Sequence, residues 1–260
     1  MSEIVRVLER AWPTRPPTAM FADLPQRFWD DRPHLWDASG GRLVNSSLTW
    51  VIRDRGRTIL VDTGIGNDKD RPDTPAFDGL QTDFLVALAA AGVRPDDVNL
   101  VVNTHLHADH VGWNTRLVDE RWVPTFPNAH YLIPALDYEH FHDDPAIADS
   151  VRPVVEAGQA VLWRDEHVLA GGIVIEAAPG HTPGSSVLKL RDEAVFVGDL
   201  LQSPAQILEP DADSTVCLDG ARARRSRRRI LDWAADRCAR VLPTHFDGGV
   251  VARDGAKFAC

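Results

Sequence analysis

Apolar positions along the chain change their period several times, and each change predicts an element. "RLVNSSLTWVI" (42–52) and "RTILVDTG" (57–64) are β-branched, apolar runs separated by the turn-forming "RDRG", so they predict a strand pair. In "AFDGLQTDFLVALAAAGV" (76–93), Leu80, Phe84, Leu88 and Ala91 recur at helical spacing and Gly92 supplies a stop. "VNLVVNT" (98–104) is a short, continuously apolar strand that delivers the chain to His105. Further strands are predicted at "AHYLIP", "GGIVIEAAPG", "SSVLKL", "EAVFVGDL" and "RVLPTHF". "DGARARRSRRRILDWAADRC" (219–238) predicts a closing helix with Asp219 as its N-cap. Its arginines, Arg222 to Arg229, would cover a solvated face while Ile230, Ala234 and Cys238 turn inward.

Strands alternating with helices in both halves predict sheets flanked by helices, an α/β class. No repeat, linker or boundary divides the chain, so a single domain over 1–260 is expected. Residues 1–40, rich in Pro and Trp and without a clean period, read as an irregular arm, and 114–172 as a variable insert or lid. His140 and His142, in "DYEHFHDDP", fall in that insert and read as lid or surface residues.

Composition narrows the function classes. A net charge of −10 disfavours nucleic acid as the main partner. Cys217, Cys238 and Cys260 are odd in number and widely spaced, which fits a reducing compartment better than a disulfide framework. No signal-like core and no apolar run of membrane-spanning length appears, so a cytoplasmic protein without a membrane partner is expected. A small-molecule substrate is the expected partner, with a homodimer possible in principle.

The chemistry gathers at strand ends. "NTHLHADHVGWN" (103–114) packs His105, His107, Asp109 and His110 into six positions directly after a strand. "APGHTPGSS" places His181, "VFVGDLL" places Asp199 and "VLPTHFDGG" places His245 after three later runs. One histidine in a turn is usually structural. Seven candidate ligands, each presented by a strand end, make a metal site the better reading.

These motifs resemble the metallo-β-lactamase-fold superfamily, in the HxHxDH of "THLHADH", in "GHTPGS", in "GD" and in the early "DTG" at Asp62 to Gly64. The resemblance covers roughly residues 43 to 250. It implies an αββα sandwich with two divalent metals, zinc foremost and Mn, Fe or Co as alternatives. It also implies His105, His107 and His181 on the first metal, Asp109, His110 and His245 on the second, and Asp199 bridging. Asp62 would orient a ligand histidine. Five neutral histidines and two aspartates around two dications and a bridging hydroxide leave a net positive charge to hold an oxyanion.

Within the superfamily, the fifteen residues after His245 are too few for the helical domain of glyoxalase II. The 64 positions from His181 to His245 leave no space for the inserted domain of the RNA-processing nucleases. No Cys stands at a ligand position, as it does in zinc β-lactamases, and His107 is not replaced as in flavodiiron proteins. The pattern is most similar to the methyl parathion hydrolase and N-acyl-homoserine lactonase group. It departs from many homoserine lactonases at Gln202, where they carry a tyrosine. The resemblance therefore implies a dinuclear hydrolase of small apolar esters, lactones or organophosphate-like substrates, attacking through the bridging hydroxide. Asp109 or a metal-bound water would return a proton to the leaving group. Alternatives are a mononuclear iron persulfide dioxygenase, a glyoxalase II-like thioesterase, and a non-catalytic binding module. Among the tryptophans of the first half, Trp113 stands nearest the ligand cluster and is the expected wall of an apolar pocket.

Overall fold

A computed structural model describes residues 2–255 and 257–259, so Cys260 lies outside the described residues. The chain opens with β1 (Glu3–Pro13), α1 (Pro17–Met20) and α2 (Gln26–Asp30), then β2 (Val44–Asp54) and β3 (Arg57–Val61). Next come α3 (Phe84–Ala90), β4 (Leu100–Val102), α4 (Ala108–Val111) and a hairpin of β5 (Thr115–Val118) and β6 (Arg121–Pro124). β7 (His130–Pro134), α5 (Ala135–His140), a π-helical turn (Ile147–Val151), α6 (Arg152–Glu156) and β8 (Ala160–Trp163) follow. The last third holds β9 (Glu166–Leu169), β10 (Ile173–Ala177), β11 (Ser186–Leu190), β12 (Ala194–Gly198) and α7 (Ala205–Leu208). It ends with α8 (Gly220–Arg237), β13 (Arg240–Pro243), β14 (Gly249–Val250), β15 (Ala252–Asp254) and β16 (Lys257–Ala259).

Two compact units form, each from two stretches of chain: Met1–Arg10 with Ser47–Arg164, and Ala11–Ser46 with Asp165–Cys260. In the first, a sheet of order β1-β2-β3-β4-β7-β8 is parallel from β3 to β8. Val51, Leu60, Val101 and Tyr131 pack there against Phe84 and Leu88 of α3. The register pairs Val61 with Val102, so Asp62 and Asn103 leave the sheet side by side at its carboxyl edge. That edge is where parallel strands deliver functional side chains.

The second unit has a sheet of order β14-β13-β12-β11-β10-β9. β12 and β13 are parallel, pairing Phe196 with Leu242 and Gly198 with Pro243. Asp199 and His245 therefore emerge at one edge. α8 lays Ile230, Leu231 and Ala234 against Val187, Val195 and Val241 of this sheet. A second cluster joins Met20, Phe21, Trp29 and Leu43 to Ala205 and Ala212.

The strand pair at 42–64, β4, β7, β10 to β13 and α8 all form where the apolar patterns predict. Asp219 caps α8 by accepting the Arg222 N–H at 2.9 Å. Four expectations need correction. Residues 1–40 are not all irregular, because Glu3–Pro13 is an eleven-residue strand. Its charges hid the alternation, and Glu9 is held by its own partners. The α3 helix begins at Phe84 rather than near Leu80. In α8, Arg227 is fully buried and not part of a solvated face. It donates to the carbonyls of Leu200 (3.1 Å), Pro210 (2.7 Å) and Ala212 (2.9 Å), and burial pushes its pKa down to about 10. Cys238 does not face inward: it ends the helix in the left-handed conformation and is exposed.

Candidate metal centre

Four of the seven predicted ligands belong to the first unit. His105 follows the end of β4 by three positions, and its Nε2 lies 3.1 Å from His107 Nδ1. Two nitrogens about 2.0–2.1 Å from a tetrahedral zinc stand about 3.3 Å apart, so this spacing suits two ligands of one ion. His107 ends the loop, and α4 then carries Asp109 and His110. The His105 and His110 rings approach to 4.0 Å between centroids.

Asp62 supports this loop from β3. Its Oδ2 accepts from His110 Nδ1 at 2.8 Å, and its carboxylate also takes the Thr104 N–H (2.8 Å) and hydroxyl (2.9 Å). A carboxylate on Nδ1 puts the proton there and leaves Nε2 as the electron-pair donor, the tautomer a metal ligand requires.

Sequence reasoning missed Glu9. Its two oxygens collect the N–H groups of Ile65 (2.6 Å) and Gly66 (3.1 Å), the Trp113 indole N–H (2.7 Å) and the Thr82 hydroxyl (3.1 Å). Ser47 adds a hydroxyl at 3.2 Å. Loss of hydration raises the Glu9 pKa above 4.5 despite these donors. Glu9 thereby ties the loop after Asp62 to the segment after His110. The same two segments bond directly, through Thr63 N to His110 O (2.8 Å) and Gly112 N to Gly64 O (2.8 Å). They run so close that a Cβ on Gly112 would sit 1.7 Å from Ile65 O. No motif marks Glu9; the only available signal was an acidic residue inside an otherwise strand-like run.

His181, Asp199 and His245 belong to the second unit. Asp199 Oδ2 lies 3.2 Å from His181 Nε2, while Oδ1 lies 2.9 Å from His245 Nε2. One carboxylate thus serves two imidazoles, one with each oxygen. His245 Nδ1 is held by the Ser46 carbonyl at 2.9 Å, which again directs Nε2 to the ligand role. Burial opposes a charge on His181, but the Asp199 carboxylate outweighs it and raises the His181 pKa to about 9. The field that favours a proton there favours a divalent cation too, and the two compete. Borderline nitrogen and carboxylate oxygen donors of this kind fit zinc and its first-row neighbours.

Trp113 is buried, stacks on Phe84 at 5.3 Å and packs in the first unit's core. Trp36 lines a 370 Å³ cavity in the second unit, together with Asn45, Gln202 and His245. His142 is exposed, as a surface residue should be. No helix among the described residues is long and apolar enough to cross a membrane.

Strand-end histidines and aspartates of this type on two sheets define a metal-binding α/β class, and comparison with known proteins gives the family. A model of the metallo-beta-lactamase superfamily matches residues 42–245, and the chain belongs to that superfamily. Rattus norvegicus "Metallo-beta-lactamase domain-containing protein 1" is 30% identical over 225 residues, 85% of this chain and 72% of its own length. The N-acyl homoserine lactonase of Bacillus thuringiensis is 26% identical over 189 residues, 67% of each chain. Among solved structures, the hydrolase AbOPH of the beta lactamase superfamily matches with a TM-score of 0.80 at 20% identity, over 99% of this chain and 92% of that one. AidC, a dizinc quorum-quenching lactonase, matches at 0.77 and 18%, over 99% and 92%. These likenesses show the fold, which is the αββα fold of the superfamily, as the motifs implied.

Proposed function

We propose that this chain is a dinuclear metal-dependent hydrolase of small, uncharged esters, lactones or organophosphate-like substrates. The observation that carries the reading is Asp199, whose two oxygens face two different histidines as a bridging ligand's would. His105, His107 and His181 are assigned to one cation, Asp109, His110 and His245 to the other. Divalent cations bound there would polarise the scissile carbonyl or phosphoryl group and lower the pKa of water. The chain's own part is positional. Asp62 and the Ser46 carbonyl fix the His110 and His245 tautomers, and Glu9 fixes the loops that carry Asp62 and His110. Asp109 is assigned the return of a proton to the leaving oxygen.

Relatives named as lactonases and hydrolases support the class. Gln202 in the third position past Asp199 argues for substrates with weakly basic leaving groups, because no phenol stands there to assist. Elemental analysis should find two metal equivalents per chain. Chelation should abolish turnover of p-nitrophenyl esters or γ-lactones, and zinc, cobalt or manganese should restore it. One iron per chain with persulfide oxidation would replace this reading by a dioxygenase. Faster turnover of S-lactoylglutathione than of any ester or lactone would make the protein a thioesterase.

A further inference from the structure

Asp137, in the first turn of α5, is a completely buried carboxyl group of the first unit. Its Oδ2 accepts the Leu106 N–H at 3.2 Å. Leu106 stands between His105 and His107, and its own side chain is buried in the first unit's core. A peptide N–H at that depth needs an acceptor, and Asp137 supplies one in the middle of the ligand loop.

The sheet dictates this placement. β4 and β7 are parallel neighbours that pair Val102 with Leu132, and the Asn103 N–H extends the ladder to the Leu132 carbonyl at 3.2 Å. Both strands therefore end at one edge. β4 runs on into the histidine loop, and β7, through Pro134, into α5. One turn after Asp137, the Phe141 N–H bonds the Asp137 carbonyl at 2.9 Å, so the two side chains share a face. The Phe141 ring lies 5.3 Å from the His107 ring, tilted by 60°. One short segment thus grips the loop twice, at the peptide between the histidines and at the ring of the second. His105 Nε2 and His107 Nδ1 stand 3.1 Å apart, a separation that a rotation of the Leu106 peptide between them would change.

We propose that α5 is a cradle for the His105–His107 pair, with Asp137 and Phe141 as positioning residues that set the spacing of the two ligand nitrogens before a cation arrives. A loop whose geometry is fixed by the fold has less freedom to lose when its ligands close on an ion. Only what the pair holds depends on the metal reading, because both grips are contacts within the chain itself.

Two measurements test this, and neither needs turnover. The first is hydrogen exchange of the Leu106 amide, followed by NMR in metal-free protein and referred to the amides of β4. In Asp137→Ala it should exchange about 10-fold faster than in the wild type. In Asp137→Asn, whose side-chain carbonyl still accepts, it should stay within about 3-fold of wild type. The second is zinc affinity, by competition with a chromophoric chelator. Asp137→Ala should bind about 10–100-fold more weakly, Asp137→Asn should recover most of that loss, and Phe141→Leu should fall about 10-fold. Should Asp137→Ala fail to fold, Phe141→Leu decides: weaker zinc binding supports the cradle and unchanged binding overturns it. An unchanged Leu106 amide in Asp137→Ala would overturn it too, as would an Asp137→Asn that binds zinc no better than Asp137→Ala. Wild-type protein that binds no zinc yet shows the Leu106 effect would remove the metal reading and leave the cradle standing.

Discussion

Replacing Glu9 tests whether a residue outside every motif organises the candidate centre. In Glu9→Ala the N–H groups of Ile65 and Gly66 and the Trp113 indole lose their acceptor, at positions that are all buried. Each such loss costs about 1–3 kcal/mol, but Glu9 itself is only partly buried. Water can enter the vacated space and recover part of the cost, so about 2–4 kcal/mol is expected in total. For a chain of this size that lowers the melting temperature by roughly 5–15 °C.

Glu9→Gln adds a pH signature. The folded protein holds the Glu9 proton more tightly than the unfolded chain does, because loss of hydration raises its pKa above 4.5. Its stabilising contribution is thus full below pH 4.5 and declines as pH rises through the folded-state pKa. The wild-type advantage over Glu9→Gln, measured by urea unfolding, should shrink from acid towards neutral pH. Metal affinity should fall in both variants, because the loops bearing Asp62 and His110 lose their tie. A Glu9→Ala melt within about 2 °C of wild type, or a wild-type advantage that grows with pH, would refute this account.

Asp199→Ala should lower ester hydrolysis by orders of magnitude and reduce bound metal, whereas Asp62→Ala should cost about 10–100-fold, as the loss of a histidine's partner does; the reverse ranking in parallel kinetics would exchange their roles. Gly112→Ala should fail to fold or lose more than about 3 kcal/mol by calorimetry, since the new Cβ would meet the Ile65 carbonyl at 1.7 Å. Arg227→Met should cost about 3–5 kcal/mol by leaving buried carbonyls without a donor. Arg225→Met, on the exposed part of the same run, should stay within about 0.5 kcal/mol of wild type in the same denaturation series.

Sequence alone showed half of the strands among the described residues, because β3, β4, β12 and β13 are buried runs with little else to be. It showed the candidate ligands for the same reason, since His105, Asp199 and His245 each end such a run. What stayed hidden were the places where a charged residue takes a buried role. Glu9 made β1 look irregular, because its acceptors' partners come from residues 47 to 113 and no local pattern encodes them. Arg227 looked like its five arginine neighbours, and only the carbonyls of residues 200 to 212 tell it apart. Trp113 was close in sequence to the ligands but belongs to the core, because the turn after His110 points it at Phe84 and Glu9.

Both compact units are discontinuous in the chain, and that has a consequence for synthesis. The first unit is complete once Arg164 has emerged, but the second still lacks everything from Asp165 onward. Its early segment, with Met20, Phe21, Trp29 and Leu43, has to wait for Ala205 and Ala212 to cover it. Counted from Arg164 to Ala212, at ~5–20 residues per second, that interval lasts roughly 2–10 seconds. During it, the nascent chain carries a finished unit flanked by an exposed aromatic cluster, the kind of intermediate that chaperones recognise. Pulse-labelled ribosome complexes stalled just before Ala205 should therefore be protease-resistant over residues 47–164 and cleaved within 11–46.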